Sequence, residues 1–133
     1  MQDRFKFRLY DKAIGEMVYD VCVGFIKDSG KTDDWVCADT SYGQVTYRDD
    51  KLKDIVLMQC TGLKDKNSKL IYEGDRVYID CEDETAIIKW SDDLAGFTIH
   101  FEDEAVFVDF DNYYSKELEV IGNIYENSEL PKE

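Results

Sequence analysis

Histidine and proline each occur once among the 133 residues, and the sequence has no long apolar run. With His100 as the only histidine, a two-histidine metal site or a facial triad cannot be assembled within one chain. No window approaches the roughly 18 apolar residues that a membrane-spanning helix needs, and no charged segment followed by an apolar stretch opens the chain. We therefore expect a soluble protein without a signal peptide, a membrane partner or a cofactor.

Basic residues are scarce in the second part of the chain. Residues 1–79 contain 14 acidic and 13 basic side chains, whereas residues 80–133 contain 16 acidic side chains and only Lys89, Lys116 and Lys132 as bases. The formal charge is −14 in total, of which −13 lies in the second part. Such a surface repels phosphate backbones, so we expect no direct nucleic-acid binding and a basic protein or peptide as partner.

The four cysteines, Cys22, Cys37, Cys60 and Cys81, lack the close pairing of a zinc site or a redox motif. They lie 15, 23 and 21 residues apart, and three of them occupy apolar, strand-like stretches. We expect free core thiols in a reducing cytoplasm.

The composition that remains is that of a folded β protein. Hydrophobic residues make up 44% and aromatic residues 14%, which excludes disordered, collagen-like and coiled-coil classes. Period-two alternation recurs, and helical periodicity is hard to find. We predict a mainly β fold with two domains, residues 1–55 and residues 56–133.

Residues 1–55 are predicted to form an N-terminal β-hairpin region. The opening strand places Phe5, Phe7 and Leu9 on one face and Lys6 and Arg8 on the other. A turn over Asp11–Gly15 then returns the chain through Met17–Asp20. From Lys27 to Gly43 the pattern dissolves into polar residues, and we predict a long loop with a short strand inside it.

Residues 56–133 are predicted to form a small SH3-like barrel. A buried strand over Ile55–Thr61 and a polar hairpin loop over Lys64–Lys69 are followed by a turn at Gly74. Short alternating strands then make a meander, whose closure would remove exposed strand edges. The predicted strands start at Val77 and continue over Thr85–Trp90, Phe97–Phe101 and Ala105–Phe110, with a helical turn in Asn112–Leu118 and a last strand that bulges or bends at Gly122.

Three segments together resemble the YopX-type family of phage and prophage proteins. They are Leu57–Val77, Glu119–Asn127 and, more weakly, Phe5–Lys12. The resemblance implies a phage-derived gene expressed in the cytoplasm of a bacterial host, and a C-terminal half shaped like an SH3-type barrel. It supplies no activity and no catalytic residues.

Exposed aromatic rings beside acidic loops are the candidate binding surface. SH3-like barrels often bind peptides with such rings. The candidate residues are Tyr72, Tyr78, Trp90, Tyr113, Tyr114, Asp92, Asp93, Glu102, Asp103 and Glu104. Core or interface packing is the alternative role of the rings, and solvated turns are the alternative role of the acids. We assign no metal site, because a calcium loop that starts at Asp109 would place Tyr114 where that loop requires glycine.

No nucleophile motif accompanies His100, which we expect to be an exposed sheet histidine beside Thr98. We therefore predict a non-catalytic protein that acts by binding, with self-association into a homo-oligomer as the favoured form. One alternative is an acidic inhibitor that imitates nucleic acid and blocks a basic site on a host or phage protein. The least favoured alternative is a small enzyme.

Overall fold

The chain folds into antiparallel β-sheets connected by short turns. In the computed structural model, the described residues are 3–28, 31–102, 107–110 and 115–126. The strands are β1 (Phe7–Asp11), β2 (Glu16–Tyr19), β3 (Cys22–Asp28), β4 (Lys31–Thr40), β5 (Gly43–Arg48), β6 (Ile55–Lys64), β7 (Leu70–Tyr72), β8 (Asp75–Ile79), β9 (Glu84–Ser91), β10 (Gly96–Phe101), β11 (Phe107–Asp109) and β12 (Leu118–Asn123).

The described residues contain three short 3-10 turns, over Asp3–Phe5, Asp49–Asp54 and Ser115–Glu117, and no α-helix. The prediction of a mainly β fold is therefore confirmed. No helix among these residues is long and apolar enough to cross a membrane.

The fold divides into two compact units. One comprises Lys6–Met58, and the other comprises Met1–Phe5 together with Gln59–Glu133. The boundary between Met58 and Gln59 lies within strand β6.

The unit Lys6–Met58 contains the predicted hairpin. Strands β1 and β2 pair with Leu9 opposite Val18, and the turn Lys12–Gly15 is capped by the carboxylate of Asp11. Its core comprises Leu9, Val18, Val21, Val36, Ala38 and Tyr47. Two details of the prediction are wrong: Phe5 lies in a 3-10 turn and is exposed, and Arg8 is buried.

The predicted long loop is also wrong, because a three-stranded sheet occupies most of it. Strands β3, β4 and β5 pair in that order. Only Val36 and Ala38 mark the buried face of β4 by alternation, while its first residues are Lys31 to Asp34. Aspartate is depleted in strands, so the start of β4 does not resemble a strand in the sequence. The apolar alternation at Val36 and Ala38 is too short to predict a strand of this length. Trp35 lies opposite Gly24, and a Cβ at that glycine would be 2.6 Å from the indole ring.

The unit that contains Gln59–Glu133 is built on a five-stranded sheet. Its order is β11-β10-β9-β8-β12, so β8 to β11 form the predicted meander and β12 pairs with β8. The core comprises Ile71, Val77, Ile79, Ala86, Ile88, Ile99, Phe101, Phe110 and Leu118. Closure of this sheet into an SH3-like barrel stays a prediction. The first two residues of the predicted strand over Ala105–Phe110 lie outside the described residues.

Turn and bulge predictions in this unit are confirmed. Gly74 has a φ of 90° between β7 and β8, a left-handed conformation that favours glycine. The register of β12 on β8 shifts between Val120 and Gly122, which identifies the bulge.

The hairpin loop over Lys64–Lys69 is organised by a buried aspartate. The Oδ1 atom of Asp65 accepts hydrogen bonds from the N–H groups of Asn67 and Lys69, both at 2.8 Å. Its Oδ2 atom accepts from the N–H of Val120 at 2.8 Å, which ties the loop to β12. Burial alone would raise the pKa of Asp65, but these backbone donors outweigh it and lower the pKa.

The substitution Asp65→Asn should destabilise the fold by about 2–3 kcal/mol at neutral pH, because the new amide group would oppose the N–H of Val120. The folded-state pKa of Asp65 is depressed, so its contribution is present above the ordinary value of 3.8 and is lost as the pH falls through the folded value. The difference in unfolding free energy between wild type and variant should therefore shrink in acid. Urea denaturation at several pH values measures it.

The matched control is Asp93→Asn, which removes an exposed carboxylate. It should change stability by less than about 0.5 kcal/mol. Equal losses in the two variants would contradict a structural role for Asp65.

Candidate functional site

A groove of about 430 Å³ opens on the surface of the unit that contains Gln59–Glu133. Strands β6, β10 and β11 contribute to it, together with the turn between β9 and β10. Its lining comprises Thr61, Leu63, Leu94, Gly96, Phe97, Asp109 and Phe110. The volume lies within the range of about 300–1,000 Å³ that is typical of ligand pockets, and most of the lining is apolar.

The turn between β9 and β10 exposes a leucine at the edge of this groove. The side chain of Ser91 accepts a hydrogen bond from the N–H of Leu94 at 3.2 Å, and Ala95 adopts a positive φ of 52°. Leu94 is 53% exposed and Leu63 is 45% exposed. Two large apolar side chains therefore border the groove without being covered by the fold.

Trp90 packs against the aromatic ring that lines the groove. It lies directly opposite Phe97 in the β9–β10 pair, so both side chains are on one face of the sheet. The ring centroids are 5.1 Å apart and the rings meet edge to face at 77°. The indole Nε1 donates a hydrogen bond to Asp92 at 2.7 Å. A carboxylate is thereby held beside an indole ring that is 42% exposed.

Acidic residues lie in the groove and in the turn beside it. Asp109 lines it, and Asp92 and Asp93 precede Leu94 in the exposed turn. These acids are placed to attract a cation at short range.

Other acids from Asp80 onward are paired with bases from the first part of the sequence. Lys66 contacts Asp80 at 3.0 Å and Glu119 at 3.7 Å, and Arg76 contacts Glu102 at 2.9 Å. The surplus of negative charge in residues 80–133 is therefore locally reduced around these two bases.

The predicted binding residues that the structure describes do not all lie on one surface. Trp90, Asp92 and Asp93 lie together beside the groove, as described above. Tyr72 is buried in the unit, so its assignment to an exposed surface is wrong. Tyr78 is half-buried and its hydroxyl donates to Asp83, which raises the pKa of the phenol.

Glu102 is engaged by Arg76, as noted above. Four further candidates, Asp103, Glu104, Tyr113 and Tyr114, lie outside the described residues.

Sequence reasoning missed the lining residues Leu63, Leu94 and Asp109. One signal was available: Leu94 is an isolated leucine within the polar turn Ser91–Gly96. The approach of β6 to β10 and β11 depends on non-local packing, which a period-two pattern does not encode.

His100 is half-buried rather than exposed, and Thr98 beside it is fully buried. The ring Nε2 lies 3.0 Å from the Thr98 hydroxyl. Burial lowers the pKa of His100, and the positive charge of Lys89 lowers it further. The imidazole is therefore mainly neutral near pH 7.

None of the four cysteines forms a disulfide bond, and the expectation of core positions holds only for Cys60. Cys22 and Cys81 are exposed, and Cys37 is half-buried.

Within the described parts of the chain, no group of three or more histidine, cysteine, aspartate or glutamate side chains is arranged to hold a metal ion.

The fold and the groove define a mainly β protein with an apolar, acid-flanked surface site. The family model for the YopX protein matches residues 6–132. The chain belongs to the YopX family.

Two crystal structures resemble it over nearly their whole length. Protein EF1440 from Enterococcus faecalis is 29% identical with a TM-score of 0.59, and the match covers 96% of this chain and 97% of that one. Protein yopX from Bacillus subtilis is 21% identical with a TM-score of 0.61, and the match covers 97% of this chain and 99% of that one. No curated protein matches the chain.

An NMR titration of the His100 ring should give a pKa below 6.5, its usual value. The substitution Lys89→Gln should raise this pKa, because it removes a positive charge that disfavours imidazolium. The control Lys116→Gln should leave it unchanged. A pKa at or above 6.5 would contradict the conclusion that burial and Lys89 lower the pKa of His100. Equal shifts in both variants would contradict the specific role of Lys89.

Proposed function

We propose that this YopX-family protein acts by binding, without catalysis, and that the groove beside Leu94 is its binding surface. The observation that carries the proposal is the uncovered apolar border of the groove. Leu63, Leu94 and Trp90 each expose two-fifths or more of their surface. Contiguous exposed apolar surface with a polar rim is typical of interaction sites.

The occupant that fits this groove best is a peptide segment with alternating basic and apolar side chains. Phe97, Phe110 and the two leucines offer contacts to the apolar side chains of the peptide. Asp109 within the groove and Asp92 at the turn attract its basic side chains. Charge complementarity of this kind increases specificity and association rate more than affinity.

The wider biological assignment rests on the family. Membership of the YopX family and the three segments that resemble its phage and prophage members support a phage-derived gene. We infer that the protein works in the cytoplasm of a bacterial host.

Imitation of nucleic acid is a second candidate function, favoured by the formal charge of −13 in residues 80–133. Three of those acids form ion pairs with Lys66 or Arg76, which weakens the case for this second function. Salt separates the two candidates, because a purely electrostatic complex loses most of its affinity at high salt, whereas apolar contacts persist.

A fluorescein-labelled decapeptide of alternating arginine and leucine is a direct probe of the groove. Fluorescence anisotropy should show that it binds, and that a matched glutamate–leucine peptide binds at least about tenfold more weakly. The variants Leu94→Ser and Leu63→Ser should each weaken binding about fivefold or more, because they remove apolar contact area. The variant Asp109→Asn should reduce both the affinity and its dependence on salt.

The control is Ile121→Ser, which removes an exposed apolar side chain from β12 at the opposite edge of the five-stranded sheet. Its affinity should equal that of the wild type. Equal binding of the two peptides, or an equal loss in Ile121→Ser and Leu94→Ser, would contradict the proposal. Loss of all binding at high salt would favour the nucleic-acid imitation instead.

Self-association stays a separate prediction. Size-exclusion chromatography with light scattering should give a mass that is a multiple of 15.5 kDa at micromolar concentration. If the groove mediates it, Leu94→Ser should reduce the mass and Ile121→Ser should not. A monomer over this concentration range would contradict the homo-oligomer.

A further inference from the structure

A second cavity, of about 250 Å³, lies within the unit Lys6–Met58. Its walls come from the end of β1 and the turn after it, from the β4–β5 turn, from β5 and from the 3-10 turn Asp49–Asp54. The residues that matter for its chemistry are Asp11, Ile14, Tyr42, Tyr47, Lys51 and Asp54. The volume is slightly below that of drug-sized pockets, so a small ligand is the appropriate occupant.

A buried carboxylate contributes to this cavity. Asp11 is only 5% exposed, and its Oδ1 atom accepts from the N–H groups of Ala13 at 2.9 Å and Ile14 at 3.3 Å. Its Oδ2 atom accepts from the hydroxyl of Tyr47 at 2.7 Å. All three donors are neutral, so none of them cancels the charge of the carboxylate. A buried charge of this kind is stabilised further by an opposite charge brought close to it.

Negative charge predominates around the Tyr47 hydroxyl. Burial raises the pKa of Tyr47 well above its usual value, and the charges of Asp11 and Glu16 raise it further. Glu16 is fixed nearby by the backbone and the hydroxyl of Ser41, at 3.0 and 2.7 Å. Among the lining residues, the carboxylates of Asp11 and Asp54 outnumber the ammonium of Lys51. Asp54 and Lys51 are both exposed, and Asp11 is buried.

The rest of the lining is apolar or aromatic. Tyr42 is 78% exposed and Ile14 is 37% exposed, and both line the cavity. An exposed tyrosine ring offers a face for stacking and for cation–π contact. The cavity therefore combines a negative interior with aromatic and aliphatic walls.

We propose that this cavity binds a small organic cation that carries its ammonium group on an aromatic body. The ammonium group would lie toward the carboxylates of Asp11 and Asp54, and the ring would contact Tyr42 and Ile14. This site lies in a different unit from the peptide groove, so either assignment can fail without the other.

Tyramine is a suitable probe, because it has one ammonium group and one ring. Its neutral analogue 4-ethylphenol and its anionic analogue 4-hydroxyphenylacetate keep the ring and change only the charge. Titrations followed by ¹H–¹⁵N NMR should show that tyramine shifts the amides of Ala13, Ile14 and Tyr47. Tyramine should bind at least about tenfold more tightly than 4-ethylphenol, and the anion should not bind.

Two variants and a control separate the contribution of charge from that of shape. Asp11→Asn should weaken tyramine binding about tenfold or more, while Asp39→Asn, an exposed carboxylate on β4, should leave it unchanged. Ala13→Phe places a ring in the cavity from an exposed turn position and should abolish binding. The NMR spectrum of each variant shows whether that variant is folded. If Asp11→Asn is not folded, the tyramine binding of Ala13→Phe tests the proposal.

Equal affinities for tyramine and 4-ethylphenol would overturn the proposal, as would tighter binding of the anion. Unchanged tyramine binding by folded Asp11→Asn or by Ala13→Phe would overturn it too. Amide shifts confined to residues outside the cavity would have the same consequence.

Discussion

The unit that contains Gln59–Glu133 depends on one buried carboxylate. Asp65 accepts three backbone hydrogen bonds, two from its own loop and one from Val120 in β12. A hydrogen bond from the N–H of Lys66 to the carbonyl of Leu118 reinforces the same connection. Because β12 pairs with β8, the position of the loop is fixed relative to the five-stranded sheet. The end of β6, which contributes Thr61 and Leu63 to the peptide groove, is held next to this loop.

Local sequence patterns were sufficient for the strands that alternate regularly. The hairpin of β1 and β2 and the meander of β8 to β10 were predicted from alternating apolar residues, and the bulge in β12 was predicted from Gly122. Burial alternates strictly with period two in β8, whereas β1 and β10 each bury two adjacent residues. The sheet of β3 to β5 was not predicted. In β4 the apolar signal is limited to residues near Val36, and the pairing with β3 and β5 relies on backbone hydrogen bonds that are independent of side-chain type.

The sites were harder to predict than the strands. Trp90 and Asp92 were chosen as an exposed ring next to an acid, and this local feature is present. Tyr72 was chosen by the same reasoning and is buried, because burial depends on which strands pack over it. The pair of Asp11 and Tyr47 joins residues 36 positions apart. Nothing in either segment alone indicates that the tyrosine hydroxyl meets the carboxylate.

The pairing of β8 with β12 has a consequence for folding during synthesis. Val77 lies opposite Val120, so more than forty residues must leave the ribosome before these strands can meet. Until then β8 has one unpaired edge, and Asp65 lacks one of its three hydrogen-bond donors. Non-local strand pairing of this kind slows folding and leaves an incomplete sheet exposed to aggregation. The last steps of folding in this unit therefore take place only after β12 has emerged.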